Sequence, residues 1–364
     1  MFGCTDAQFE LTRKRFAAWW ESDILDRPPV TLGVKPVQVY SGPSSEHAGD
    51  RDRWLDIEYN LAAGIAELER QVFAGDSFPT FHPNIGPELI AAMYGCELEF
   101  RPDTSWSIPV ITDPVQWDEV AAADSNFEGI YWRTIVELTD AALAVSDGRF
   151  LVGVTDLHGN YDNLAAMRDP QQLCTDLVDC PERVAAAGRR ITRGFVDAFN
   201  ALWRRIEPAG LGCTTWSAMH HDGPTYLPSC DFWCMVSDAM ASQFILPDIV
   251  AEMAPLERSL FHLDGPQALR HLDLLLALPE LDGVQWVYGA GAGPAARWTD
   301  VYRRILDAGK CAQVIADGPE DALAVLDTCG PKGLWLHVGG DFDDVDSADA
   351  FLAEVARRSA CSDA

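Results

Sequence analysis

Lysine is nearly absent from this 364-residue chain: Lys14, Lys35, Lys310 and Lys332 are the full set, and basic residues together number 27 against 56 acidic ones, a formal net charge of −29. A surface of that sign repels phosphate backbones and anionic headgroups, so nucleic acid and membrane surfaces are poor partners. The acidity itself reads as a solubility trait, because net charge governs solubility and association rather than fold. No apolar run reaches the ~18 residues of a membrane span, and residues 1–20 hold no apolar stretch followed by a small-residue cleavage site, so the expected compartment is the cytoplasm. There are ten cysteines but no CxxC pair. A disulfide framework is therefore not expected, and the thiols read as reduced. Cys230 and Cys234 are close in sequence, but no second Cys or His cluster follows to complete a metal site. The dinucleotide fingerprint is missing too, since Gly289-Ala290-Gly291-Ala292-Gly293-Pro294 lacks the GxGxxG spacing and reads as a flexible turn.

What is present is a chain able to bury a large core: 48% of residues are hydrophobic and 10% aromatic. Its length suits one α/β barrel of about 250 residues with additions. Residues 5–22 place Phe9, Phe16, Trp19 and Trp20 at helical spacing, giving an N-terminal helical extension. Residues 98–100 and 108–111 resemble a small hairpin insertion. From residue 130 onward helical and apolar runs alternate regularly. Val30, Val72, Leu151, Leu211, Leu260, Val284, Ala312 and Leu334 mark about eight strands, nearly all joined through helices. The expected fold is a (β/α)8 TIM barrel, one domain over residues 1–364.

Barrel active sites lie at the carboxyl ends of the strands, so the polar residues that end each apolar run are the candidates. These are Asp76 and His82, then Asp156, His158 and Tyr161, then Trp216, His220 and His221, then His262 and Asp264, then Trp286 and Tyr288, and finally His337. Asp156/His158, His220/Asp222 and His262/Asp264 each put a carboxylate two residues from an imidazole. In an extended chain such residues point the same way, about 6.5 to 7 Å apart. The pair can share a metal, or the carboxylate can orient the ring for proton transfer. Asp264 could equally cap the helix that starts near Pro266. Trp216, Trp286 and Tyr288 would supply stacking walls or plain core packing.

The segment Phe261-His262-Leu263-Asp264-Gly265-Pro266, continued by Leu281-Asp282-Gly283-Val284-Gln285-Trp286-Val287-Tyr288-Gly289, resembles the uroporphyrinogen decarboxylase superfamily, which includes corrinoid-dependent methyltransferases. Arg27-Pro28-Pro29-Val30, Gly75-Asp76-Ser77-Phe78-Pro79 and Cys230-Asp231-Phe232 look like further family segments, and together they span residues 10–360. The resemblance implies a TIM barrel and, residue by residue, an Asp at Asp76 and a Tyr at Tyr161. The chain departs from the decarboxylases at Val34-Lys35-Pro36-Val37-Gln38, where arginines would hold propionates, and at Gly340, where a His would stand. It departs from the thiol methyltransferases too: His262-Leu263-Asp264 replaces His-x-Cys, and Gly340 the last Cys ligand. A His/Asp set favours harder nitrogen and oxygen coordination.

The function this implies is methyl transfer from a small methylated substrate, assisted by zinc or another divalent metal on His262 and Asp264 or by a His/Asp acid, with a corrinoid on a partner protein as acceptor and a homodimer as the family expectation. Two alternatives stand beside it. One is a decarboxylase or other lyase on a small carboxylic acid using Asp76 and Tyr161; the other is a ligand-binding barrel without chemistry.

Overall fold

A computed structural model describes residues 1–361. Thr5 opens the first helix, Asp6–Trp20, by accepting a hydrogen bond from the Gln8 amide. The buried face of this helix carries Phe9, Phe16, Trp19 and Trp20. They pack with Leu151, Leu260 and Trp335, and the Trp335 ring lies 5.2 Å from Phe16 and 5.6 Å from Trp19. The N-terminal extension is thus a plug under the sheet.

Among the described residues eleven strands follow: β1 (Val30–Val34), β2 (Val72–Gly75), β3 (Thr80–Phe81), β4 (Leu98–Phe100), β5 (Ser105–Ser107), β6 (Leu151–Val152), β7 (Thr225–Tyr226), β8 (Arg258–Asp264), β9 (Gly283–Val287), β10 (Cys311–Ala316) and β11 (Leu334–Phe342). Seven of them form a curled sheet in the order β2-β1-β11-β10-β9-β8-β7, parallel except for β2. Helices such as Pro181–Ile206, Thr299–Asp307, Pro319–Cys329 and Val345–Cys361 alternate with these strands. That explains why β8 to β11 begin as apolar runs, since helices cover one side and the plug covers Leu260, Cys311 and Trp335 at the amino end of the other.

The expected eight-stranded closure is not present as one continuous ladder among the described residues. The segment at Val72, read as the second barrel strand, instead runs back antiparallel along β1, from Thr31↔Gly75 to Val34↔Val72. Gly75 turns at φ +63°, and the Ser77 hydroxyl then bonds both the N–H (3.0 Å) and the C=O (2.8 Å) of Leu32. Those are backbone groups a parallel neighbour would use. The strand that resumes the parallel direction is β3, which among the described residues pairs with β6 alone. Beyond β6 the Val154 amide donates to Thr214 C=O at 2.9 Å, and a bridge between Ser229 and His262 continues the wall to β8. Leu211 itself starts no strand, because Gly212 turns at φ +85° and Cys213 pairs back onto His221.

One further expectation shifts. The hairpin pairs β4 with β5, Leu98 facing Ser107, rather than with residues 108–111. Pro109 has no amide to give a ladder, and the amides of Val110 and Ile111 both donate to Met167 C=O at 2.9 Å. Residues 238–253 form one continuous helical stretch that widens through a π-turn at Ala241–Ile245 just before Pro247, which has no amide to give the helix. No helix among the described residues is long and apolar enough to cross a membrane.

Candidate functional site

Because β8 is parallel to its neighbours, its carboxyl end carries His262 and Asp264 to the rim where the other strands finish. Both side chains point to one face of the strand. The ladder places His262 opposite Gln285 on β9, and Gln285 opposite Gln313 on β10. His262 Nδ1 is hydrogen-bonded to Gln285 Oε1, and Gln285 Nε2 donates to Gln313 Oε1 at 2.6 Å. The exposed Trp216 meets the His262 ring edge to face, with centroids 5.4 Å apart.

Asp231 joins this pair. It begins the 3-10 turn Asp231–Met235, whose first amides, those of Asp231 and Phe232, donate to the Asp162 carboxylate at 3.0 and 2.8 Å. Asp231, His262 and Asp264 each offer a ligand atom, and these atoms all lie within 4.8 Å of one another. Asp231 is exposed at the rim, yet desolvation of its carboxyl by the surrounding segments and the neighbouring Asp162 push it above its ordinary range, while His262 and His158 pull it back. One imidazole and two carboxylates in this space fit a divalent cation and leave coordination positions for water or substrate. Sequence reasoning named His262 and Asp264 but not Asp231, whose only signal was its family-like Cys230-Asp231-Phe232 segment.

A cavity of about 410 Å³ opens beside the triad and is lined by His82, Asp156, His158, Trp216 and His262, among others. These five, predicted separately, are therefore brought together. Burial opposes charging His158, but Asp156, Asp162, Asp231 and Glu88 outweigh it and raise its pKa above the ordinary histidine value. His82 goes the other way: burial lowers it, and its Nε2 is 3.0 Å from Val154 C=O. A second cavity, of about 420 Å³, meets the first at His158 and is walled by Glu88, Asp162, Asp231, Phe232 and Met235. No lysine or arginine lines either cavity.

Other predicted residues fall elsewhere. Asp76 lies at the amino end of β1, wholly buried, and binds Arg15, Arg27, Thr12 and the Val30 amide. His220 is 1% exposed under the plug; its Nε2 is 2.9 Å from Leu211 C=O, and burial lowers its pKa to about 4. Its neighbour His221 pairs with Glu257, beside the first residue of β8, so this loop belongs to the opposite end from the triad. Trp286 is fully buried against Trp298, with centroids 5.3 Å apart, because its side chain leaves β9 on the face away from Gln285. Tyr288 donates to Asp317 (2.7 Å) and to Ile315 C=O (2.9 Å), and lines a separate cavity with the glycine-rich turn. His337 contacts Thr31 at 3.0 Å and lines another cavity between β1 and β11.

Tyr161 is fully buried on the helix Asn160–Arg168, where burial and Asp248 push its phenol well up. Asp248 and Glu252, one turn apart on Leu246–Met253, are buried with it. Glu252, held at 3.0 Å by Asn160 Nδ2, is raised far above the carboxylate range by burial. Burial also raises Asp248, to about 7, against the pull of Arg189. The sign follows from proton binding: the folded chain holds this proton more tightly than the unfolded one, so stability present below pH ~4 is lost as pH rises to about 7. The ceiling of that loss is on the order of 4 kcal/mol. Asp248→Asn should therefore raise the melting temperature at pH 8 by several degrees and leave it nearly unchanged at pH 4, as read by calorimetry. Equal melting temperatures at pH 8 would show that the fold does not raise the Asp248 pKa.

No protein family and no curated protein matches the sequence. Twenty-four solved chains match in structure. One is a methyltransferase from Methanosarcina mazei, 12% identical, covering 95% of this chain and 98% of its own, with a TM-score of 0.62. Another is a B12-independent methionine synthase from Shewanella sp. W3-18-1, 11% identical, covering 92% and 99%, with a TM-score of 0.44. At such identities the similarity concerns the fold.

Proposed function

We propose that this chain is a methyltransferase-type enzyme of the uroporphyrinogen decarboxylase superfamily that holds zinc or another divalent cation on Asp231, His262 and Asp264. Its substrate would be a small methylated compound, and its methyl acceptor a corrinoid carried by a partner protein. The carrying observation is the convergence of those three ligand atoms within 4.8 Å at the carboxyl end of β8. The fold shared with the Methanosarcina methyltransferase supports the reading without assigning the substrate. A cation held there supplies Lewis acidity toward the oxygen or nitrogen that carries the methyl group.

The chain's own residues supply the rest. Trp216 and His82 confine a small molecule in the cavity beside His262. Asp156, Asp162 and Glu88, which the cation does not take, favour the protonated form of His158, so it can deliver a proton to the heteroatom that retains the electron pair when the methyl group leaves. The absence of lysine and arginine from the lining disfavours a polyanionic substrate. The lyase alternative loses its residues, since Asp76 and Tyr161 lie away from this cavity.

Metal analysis by mass spectrometry on protein purified without chelators, paired with methyl transfer to reduced cobalamin from a panel of methylated oxygen and nitrogen compounds, tests the proposal. Near-stoichiometric divalent metal and consumption of Co(I) with one donor class are expected. Protein that stays empty after reloading and transfers no methyl group would overturn it and leave a binding protein.

A further inference from the structure

Gln285 and Gln313 are each 2% exposed, in a sheet layer where barrels of this type carry branched apolar side chains. A buried primary amide is costly unless its donors and acceptor are used, so two adjacent ones need an explanation. Their hydrogen bonds run in one direction. Gln285 Nε2 donates to Gln313 Oε1 at 2.6 Å, which turns Gln285 Oε1 toward β8, where it meets His262 Nδ1. An amide oxygen only accepts, so Nδ1 carries the ring proton.

We propose that Gln313 and Gln285 form a positioning relay that fixes His262 in its Nδ1–H tautomer and presents the bare Nε2 to Asp231 and Asp264. The register argues for this arrangement independently of any single contact: His262, Gln285 and Gln313 are direct ladder partners on three consecutive parallel strands. The rigid sheet thereby sets the ring's rotation as well as its tautomer. A carboxylate at position 285 would hold the same tautomer but bring a charge into this buried layer; the neutral amide holds it without one. With both amides reversed, Gln285 would donate to Nδ1 and the proton would sit on Nε2, where it blocks a metal. The purpose of the relay rests on the proposed metal site, whereas the tautomer does not.

The test combines two readouts on the full chain. Long-range ¹H–¹⁵N spectra of ¹⁵N-histidine-labelled, metal-free protein, with the ring assigned through His262→Gln, report the tautomer directly. Wild type should show a protonated Nδ1 and a bare Nε2, Gln285→Leu a mixture of tautomers, and Gln285→Glu the wild-type proton position. Zinc affinity, read by competition with a chromophoric chelator, should fall roughly 10- to 100-fold in Gln285→Leu and recover in Gln285→Glu. Gln313→Leu should weaken zinc less than Gln285→Leu does, because it acts through one more hydrogen bond. A proton on Nε2 in wild type, or a folded Gln285→Leu that keeps one tautomer, would overturn the relay. If wild type takes up no zinc, the proposed function falls while the tautomer measurement still decides the relay.

Discussion

Protein carrying His262→Ala is expected to leave purification without stoichiometric divalent metal and to lose methyl transfer by roughly a thousand-fold, the range seen when a preorganised electrostatic stabiliser is removed. Its melting temperature should stay within a few degrees of wild type. His262 is half-buried and faces the cavity, so its removal costs the Trp216 edge contact and the hydrogen bond to Gln285 rather than core volume. Asp231→Ala is the sharper variant. Read as a helix-opening residue it would be dispensable, because the turn it begins is held by Asp162 accepting from the Asp231 and Phe232 amides. Read as a ligand, it takes metal and activity with it at unchanged fold. Metal content and turnover of His262→Ala, Asp231→Ala and Asp264→Ala, each with a thermal melt, check the set. Full metal and full turnover in Asp231→Ala would reduce the site to a histidine and one carboxylate.

The sequence exposed part of this arrangement for a physical reason. His262 and Asp264 share one extended segment, so their common direction follows from the period of a strand. Asp156 and His158 were legible in the same way, and both line the cavity beside His262. Asp231 lies 31 positions before His262 in a 3-10 turn, and it is the pairing of β7 with β8, continued by the bridge from Ser229 to His262, that brings the two segments together. Gln285 and Gln313 required the register of three strands, which no local pattern contains.

Asp76, His220 and His221 fall at the other end of the sheet for one shared reason. A polar residue beside an apolar run marks a strand terminus, but not which terminus. Asp76 follows β2, and β2 is antiparallel to β1, so its carboxyl end is the amino end of the parallel sheet. His220 and His221 precede β7 and return the chain to that same end. The alternation of helices and strands was readable throughout; the interruption between β1 and β3 was not, because it depends on Ser77 occupying the Leu32 backbone.

Asp76→Ala should cost more stability than any other substitution considered, about 3 to 5 kcal/mol, the range for removing one partner from a buried ion pair. Its carboxylate is 0% exposed and receives Arg15 at 2.9 Å, Arg27 at 2.5 Å, the Val30 amide at 2.8 Å and the Thr12 hydroxyl at 3.3 Å. These bonds tie the first helix to the start of β1. Arg15 keeps a second partner in Asp26, at 2.7 and 2.8 Å, but Arg27 is 4% exposed and its guanidinium keeps the Pro28 carbonyl and no hydrogen-bonded carboxylate among the described residues. An uncompensated guanidinium in that setting is the source of the loss, so Asp76→Asn, which keeps the volume and one acceptor, should recover only part of it. Denaturant unfolding measures the change. Turnover per folded molecule supplies the second axis: a structural Asp76 leaves it at wild-type level below the melting transition, whereas a catalytic Asp76 would abolish it in Asp76→Asn even where that variant is fully folded. The expected pairing, a large fall in stability with unchanged turnover, is the reverse of that expected for His262, and it separates the two ends of the sheet.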